Sequence, residues 1–380
     1  MNWIGIDAHK SSAIIAVMDD NGNVIEMYKV NNDLQAWTTF YLKYSGNATV
    51  AIESSTAGKH IARVLRDFGM DIHIANPNKV NLIFKSTKKT DMEDAVKLAK
   101  LLRLNELPES YLPSKEIDNI RSLVRYRRSL GKEIVIIKNK IHSMLTLHGI
   151  KIKETDIFGK RGLEKILEFS RTINEVERSI LNDLLSRLKD IEERIEKIEN
   201  MMAKIGNEIE EVKLLMSFPG VDVYSALSIY SDIGDVSRFP DKDHFASYAG
   251  LVPRVDQSGE IEIHGKITKK GPSILRFFIV NSVHTLIKLS PTFKKMYMKL
   301  VRRLGKNKAI IAVARKFATM IYIVLKTKTQ YMEGFEALYN RKLRKMKRNA
   351  ELAEFPNDYS STENLINGID INHLSKEPFS

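Results

Sequence analysis

Between Ile173 and Val212 an apolar side chain recurs every three or four residues: Ile173, Val176, Ile180, Leu184, Leu188, Ile191, Ile195, Ile198, Met202, Ile205, Ile209 and Val212. This spacing lines one stripe of an α-helix, with one irregularity where three steps of four run together. About forty residues in one helix extend over roughly 60 Å. A rod of that length cannot cover its own stripe and needs a partner. Ile134, Ile137, Ile141 and Leu145 in an earlier helical stretch offer an opposing stripe. Two readings stay open for this long helical coiled coil, placed at 115–212: an intramolecular hairpin, or a linker arm through which copies of the chain oligomerise.

The first 105 residues follow a different rhythm. Short apolar runs predict strands at 3–8, 12–18, 23–29, 48–53 and 71–75, and helical spacing predicts helices at 32–43, 57–69 and 91–104. Asp19-Asp20-Asn21-Gly22-Asn23 has the composition of a hairpin turn between the second and third strands. Three meandering strands followed by helix–strand–helix–strand–helix is the order expected of an RNase H-like α/β domain. The Pro-containing stretch from Asn105 to Pro113 reads as a linker. A mostly helical region at 213–328 surrounds one glycine-rich polar segment. From 329 to 380 the chain turns basic (Arg341 to Arg348) and then polar, and its last 25 or so residues have too few apolar groups to fold.

Four acids stand out against this pattern. Asp7 and Glu53 end apolar strands, and Asp91 and Asp94 lie three apart at the start of a helix, on one face. Such a set can converge on two divalent ions, and an all-carboxylate site suits Mg²⁺. Singly, each acid has an ordinary alternative: a turn cap for Asp7, a solvated strand end for Glu53, a helix N-cap for Asp91. His9 and His60 lie near the acids in sequence and read as structural or phosphate-contacting groups.

With 60 Lys and Arg against 47 Asp and Glu, the net charge of +13 points to a polyanionic partner. Arg121, Arg125, Arg127, Arg128, Lys138 and Lys140 form a basic series on one helix that can grip nucleic-acid backbone, or simply face solvent. The absence of cysteine excludes disulfides and thiolate metal sites. The start has no leader and no apolar stretch reaches membrane-spanning length, so a cytoplasmic protein with no membrane contact is expected.

Two C-terminal segments carry further chemistry. Pro219-Gly220-Val221-Asp222 is similar to a helix-hairpin-helix turn that offers amides to phosphate, with Asp222 in place of a second glycine; an ordinary helix–helix turn is the alternative. Ser258 lies beside Gly259, among Arg254, Lys266, Lys269 and Lys270, where its hydroxyl could meet a phosphate held by those cations.

Taken together, Gly5-Ile6-Asp7, Glu53, Thr90-Asp91 with Asp94-Ala95, Pro219-Gly220-Val221, and the block from Gly250-Leu251-Val252-Pro253 through Ser258-Gly259 to Thr268-Lys269-Lys270-Gly271 resemble the IS110 family of insertion-sequence transposases and their Piv-like DNA invertase relatives. The resemblance covers about residues 1–328. It implies a RuvC-like DEDD catalytic domain with Asp7, Glu53, Asp91 and Asp94 binding Mg²⁺, a coiled coil, and a mostly α C-terminal transposase domain whose serine matches Ser258. It also implies an oligomer, dimer or tetramer, guided by a structured non-coding RNA that pairs with element ends and target DNA. The family's loop often carries Ser-Ser-Gly-Gly, and Asp256-Gln257-Ser258-Gly259-Glu260 departs from it. The expected function is DNA recombination by a metal–carboxylate site with Ser258 as nucleophile. The alternatives are a RuvC-like junction nuclease that uses water, and a non-catalytic nucleic-acid-binding protein.

Overall fold

The computed structural model describes residues 1–84, 90–151, 156–258 and 261–355, with the side chains of 255–266 outside the description. The chain divides into two compact units, Met1–Ser114 and Lys115–Ser380.

The first unit is built on a five-stranded sheet of β1 (Asn2–Ala8), β2 (Ser12–Met18), β3 (Val24–Asn31), β4 (Ala48–Glu53) and β5 (Asp71–Ala75). Its order is β3-β2-β1-β4-β5; β1, β2 and β3 pair antiparallel, while β1–β4 and β4–β5 are parallel. The helices are α1 (Leu34–Tyr44), α2 (Thr56–Asp67), α3 (Pro77–Ile83) and α4 (Asp91–Arg103). Side chains alternate across each strand, so Ile4, Ile6, Val50 and Ile52 join one core with Trp37, Phe40, Ile61 and Leu65 of α1 and α2. On the opposite face Ala51 packs with Leu98 and Leu102 of α4. Gly5 lies on this second face: a Cβ there would stand 1.9 Å from the Ala95 carbonyl oxygen and 2.7 Å from the Ala99 nitrogen. The backbone of α4 therefore rests directly on the central strand.

The five strands and three of the helices fall within two residues of their expected positions. The sequence reading passed over α3, although Asn76 caps it and Pro77 opens it. The stretch read as a linker runs along the sheet edge instead: Ser110 N–H donates to Ile74 O at 2.7 Å and Asn76 N–H to Pro108 O at 2.8 Å. Leu112 reaches the main core of this unit.

In the second unit, α5 (Lys115–Leu147), α6 (Lys160–Ser170) and α7 (Glu175–Glu208) precede α8 (Glu210–Met216), α9 (Val223–Ile233) and α10 (Lys242–Tyr248). A hairpin of β6 (Pro253–Ser258) and β7 (Ile261–Ile267) follows, then α11 (Ser273–Leu289), α12 (Pro291–Leu304), α13 (Lys306–Thr327) and α14 (Glu336–Glu351). Contacts of Arg127 with Glu199 (2.6 Å) and of His148 with Glu177 (3.0 Å) show that α5 and α7 run antiparallel within one chain. The far half of the pair buries Ile137, Ile141 and Leu145 against Leu181, Leu184, Leu188 and Ile191, with Ile166 and Phe169 of α6. The near half feeds Ile120, Val124, Met202 and Ala203 into the C-terminal core around Phe218, Phe245, Phe293 and Phe317.

The expected single helix to Val212 is broken at Ile209, where the backbone is extended. Val176 and Ile180 face outward, at 71% and 51% exposure, and Leu181 occupies the seam. Each step of four residues turns about 40° off a stripe, so a run of fours drifts away from the partner, whereas Leu181, Leu184, Leu188 and Ile191 hold the 3-4-3 spacing. Among the described residues no helix is long and apolar enough to cross a membrane.

The basic C-terminal stretch is also ordered into this unit. Lys342 of α14 donates its ammonium hydrogens to the carbonyls of Met216, Phe218 (2.8 Å) and Val221 (2.9 Å). Burial, opposed by Asp222, lowers its pKa to about 8. The turn after α8 is an ordinary helix–helix turn: Asp222 caps α9 by accepting from Ser225 N–H, and Gly220, at φ +84°, abuts Thr285 of α11. The expected disordered tail, 356–380, lies outside the described residues.

Two outcomes follow for the first unit. Gly5→Ala must push α4 off the sheet, costing about 3 kcal/mol or more; hydrogen exchange should show α4 losing protection first, with Gly5→Val worse. The second outcome concerns His73, which lies 2.6 Å from Glu109 and 3.3 Å from Asp71. Burial works against its protonation, but the hydrogen bond and charge of Glu109, then Asp71, hold its pKa above the ordinary value. Its stabilising contribution is therefore complete below about pH 6.5 and lost as pH rises through the raised folded value. Intrinsic-rate-corrected exchange at the Ser110 and Asn76 amides should accelerate across that window, and His73→Gln should abolish the pH dependence.

Candidate metal centre and nucleic-acid interface

Parallel pairing of β1 with β4 matches Ile6 to Ile52, which brings the next residues, Asp7 and Glu53, to neighbouring strand ends. By alternation Asp7 shares the face of Gly5, and Glu53 that of Ala51, so both belong to the side covered by α4. Thr90 caps α4, its hydroxyl accepting from Glu93 N–H. Asp91 is thus the first helical residue rather than the cap, and Asp94 stands one turn on. Acids in a first turn also complement the positive helix end.

Asp7 is almost buried, while Asp91 is exposed and Asp94 only partly so. His9, in the turn between β1 and β2, bridges two of them: its Nε2 lies 3.4 Å from Asp7 Oδ2 and 3.1 Å from Asp91 Oδ2. Ligand atoms of Asp7, His9 and Asp91 all lie within 4.8 Å of one another. Burial raises the pKa of Asp7 to about 6; His9 opposes this, and the charges of Asp91, Glu53 and Asp94 add to it. Asp94 accepts a 2.8 Å hydrogen bond from Lys97 Nζ. Negative charge on the buried Asp7 carboxylate, with converging oxygen and nitrogen donors, fits a divalent cation.

The structure therefore brings Asp7 and Asp91 into one cluster, with Glu53 and Asp94 close enough for their charges to act on Asp7. Two partners were missed by the sequence reading. His9 was read as a structural or phosphate-contacting group, and Lys97 carries no signal beyond its i+3 spacing from Asp94.

Ser258 ends β6, opposite Ile261 of β7. The glycine-rich segment thus forms a strand hairpin where a loop was expected. The side chains of Ser258 and Lys266 lie outside the described residues, as do Gly259 and Glu260.

The basic series on α5 divides. Arg121 is turned inward, donating from Nε to Ser231 O at 2.6 Å and from Nη2 to Asp232 O at 3.4 Å, at the end of α9. Arg127 binds Glu199 and lies over the Tyr224 ring at 4.7 Å. These two tie helices together, which corrects the expectation that they face a phosphate: each guanidinium is already satisfied by α9 or α7. Arg128 lies over Phe277 at 4.3 Å and Lys138 over Phe158 at 4.7 Å. Arg125, Lys140, Arg254, Lys269 and Lys270 are exposed.

A denser basic face was missed on α12 and the start of α13. Lys294, Lys295, Lys299, Arg302, Arg303, Lys306 and Lys308 are all exposed, and 291–308 contains no acid. Phe293, Met296, Tyr297 and Leu300 turn the other side of α12 into the core. The absence of acids over those eighteen residues was the available signal.

Comparison with known proteins finds transposases along most of the chain. Residues 4–150 match the DEDD-type IS110 transposase family, described as "Transposase", and residues 212–298 match "Transposase IS116/IS110/IS902 family". The transposase for insertion sequence element IS1111A of Coxiella burnetii is 26% identical over 339 residues, covering 87% of this chain and 91% of the relative. A probable family 20 transposase of Pseudomonas aeruginosa is 24% identical, covering 88% and 99%. The pilin gene-inverting protein of Moraxella bovis is 37% identical over 118 residues, 30% of this chain and 36% of that protein. The two family matches frame both the acid-bearing unit and the helical unit, and the chain belongs to the IS110 family of insertion-sequence transposases.

Proposed function

We propose that this transposase cuts and rejoins DNA at the ends of its element through an RNase H-like, RuvC-like first unit acting with Ser258. The observation that carries the reading is the gathering of Asp7 and Asp91, under the influence of Glu53 and Asp94, at the ends of two parallel strands in a β3-β2-β1-β4-β5 sheet. Asp7, Glu53, Asp91 and Asp94 would hold Mg²⁺, which when bound supplies charge neutralisation at the scissile phosphate. The Ser258 hydroxyl attacks phosphorus, loses its proton, and forms a Ser–O–P bond as the P–O bond to the deoxyribose breaks and that oxygen gains a proton. The phosphoserine retains the bond energy, so a deoxyribose hydroxyl can reverse the step and rejoin strands without an external energy source. Lys97 holds Asp94 in place until a cation competes for its oxygen.

The nucleic acid is gripped by the exposed face of α12–α13, with Arg125, Arg128, Lys138, Lys140, Arg254, Lys266, Lys269 and Lys270 as further contacts. A guide RNA from the element's own end and the DNA are both polyanions of the kind this surface attracts. Oligomerisation would use the arm of α5 and α7, where Val176 and Ile180 are exposed apolar side chains. The protein would act in the cytoplasm, on chromosomal and plasmid DNA.

A plasmid carrying the intact element provides the test. Wild-type protein should give a covalent protein–DNA adduct and recombined product. Ser258→Ala should reduce both to background, and so should Asp7→Asn. Cleavage without an adduct in Ser258→Ala indicates hydrolysis by water and overturns the serine step. Replacing Lys294, Lys295, Lys299, Arg302 and Arg303 by glutamine should weaken duplex binding uniformly across sequences. It should also flatten the plot of log affinity against log salt by up to about four to five; an unchanged slope removes α12 from the interface.

A further inference from the structure

We infer that His9 is a further ligand of the divalent ion held by the acids, so that the site is a mixed nitrogen–oxygen centre that binds a transition-metal ion such as Mn²⁺ more tightly than the carboxylates alone would. The inference rests on the metal reading above and extends it to a residue outside the acidic quartet. His9 Nε2 lies 3.4 Å from Asp7 Oδ2 and 3.1 Å from Asp91 Oδ2. Neighbouring donors around one octahedral ion with bonds of about 2.1 Å stand about 3 Å apart. Both nitrogen–oxygen distances are therefore already close to that spacing, and the three ligand atoms all lie within 4.8 Å of one another.

The turn that carries His9 is fixed by backbone bonds rather than left to its side chain. His9 N–H donates to Ser12 O at 2.9 Å, and Asn32 N–H donates to Ser11 O at 3.1 Å. The Asn32 side-chain amide donates to the carbonyl of His9 itself. With its backbone clamped from two sides, the imidazole starts from a preorganised position, and little ordering is required on binding. A donor set of carboxylates alone suits Mg²⁺, whereas imidazole suits transition ions. Replacing one oxygen donor by Nε2 shifts the preference toward them. The rival role for His9 is an imidazolium bridging two carboxylates, which needs no ion and puts no nitrogen on one.

The full-length chain titrated with MnCl₂ separates these roles by pulsed electron paramagnetic resonance, independently of any recombination assay. Bound Mn²⁺ in the wild type should show coupling to a ¹⁴N nucleus. His9→Gln should lose that coupling and bind Mn²⁺ at least about tenfold more weakly, since even partners beyond the ligands commonly cost that much. Mg²⁺ affinity, measured by competition, should change far less. Mn²⁺ that is displaced by Asp7→Asn but shows no ¹⁴N coupling in the wild type overturns the ligand role and leaves the carboxylate site standing. Coupling that persists in His9→Gln overturns it equally. Failure of the wild type to bind Mn²⁺ in an Asp7-dependent way overturns the metal reading itself, and the ligand with it.

Discussion

Contact between two backbones, Gly5 of β1 and the Ala95–Ala99 turn of α4, sets the geometry on which the acid cluster depends. A helix usually stands off a sheet by the thickness of its side chains. Here the absence of a Cβ at Gly5 and the small residues at Ala95 and Ala99 remove that spacer. Because α4 begins at Asp91, lowering the helix onto β1 also lowers Asp91 and Asp94 toward Asp7. Gly58 performs a similar service in α2, where a Cβ would stand 2.1 Å from the Glu53 carbonyl oxygen. Two close approaches thus bring both helix starts against the ends of β1 and β4. Burial of Asp7, and after it the charges of Asp91, Glu53 and Asp94, work against its ionisation while His9 favours it, and packing of apolar groups on both sheet faces holds the cluster together.

The second unit solves a different problem, joining a long helical pair to a compact core. The seam between α5 and α7 continues from its own apolar cluster into the C-terminal core through Ile120, Val124, Met202 and Ala203. Polar groups then lock the joint. Arg121 satisfies carbonyls at the end of α9, Arg127 joins α5 to α7, and Asp232 accepts from Leu275 N–H at the start of α11. Lys342 collects three carbonyls around the turn after α8. An isolated ammonium in such surroundings would be strongly unfavourable; with three acceptors it becomes a fastening between α14 and that turn.

The sheet was legible because its strands are apolar runs bounded by turn residues, and the acids because strand ends and an i, i+3 pair are local patterns. What was misread depended on contacts distant in sequence. Val176 and Ile180 fit a helical stripe as well as Leu181 does, and only the position of α5 decides which is buried. The Asn105–Pro113 stretch has linker composition, yet its backbone pairs with β5. Arg121 and Arg127 look like any basic helix residues until α9 and Glu199 are placed beside them. The β6–β7 hairpin had a local signal in Ile261, Ile263 and Ile267, but the surrounding glycines and lysines gave it the character of a loop. His9 was undervalued for the opposite reason: a single histidine carries no pattern, and only the fold shows two carboxylates within 3.4 Å of it.

The distribution of charge narrows the nucleic-acid surface further than the net charge does. A total of +13 does not distinguish cations that face a partner from those consumed inside. Arg121, Arg127 and Lys342 are engaged internally, and Lys97 is neutralised by Asp94. Along 291–308 the opposite holds, because Phe293, Met296, Tyr297 and Leu300 occupy the buried side of α12 and leave its lysines and arginines no carboxylate neighbour within the helix. Seven like charges on one short surface repel one another, which a folded chain tolerates only at modest cost in water. That repulsion is relieved when phosphates replace solvent counterions, and the same term makes binding salt-sensitive. The apolar side of α12 thus fixes where the basic side points, and core packing becomes the determinant of the polyanion-facing surface.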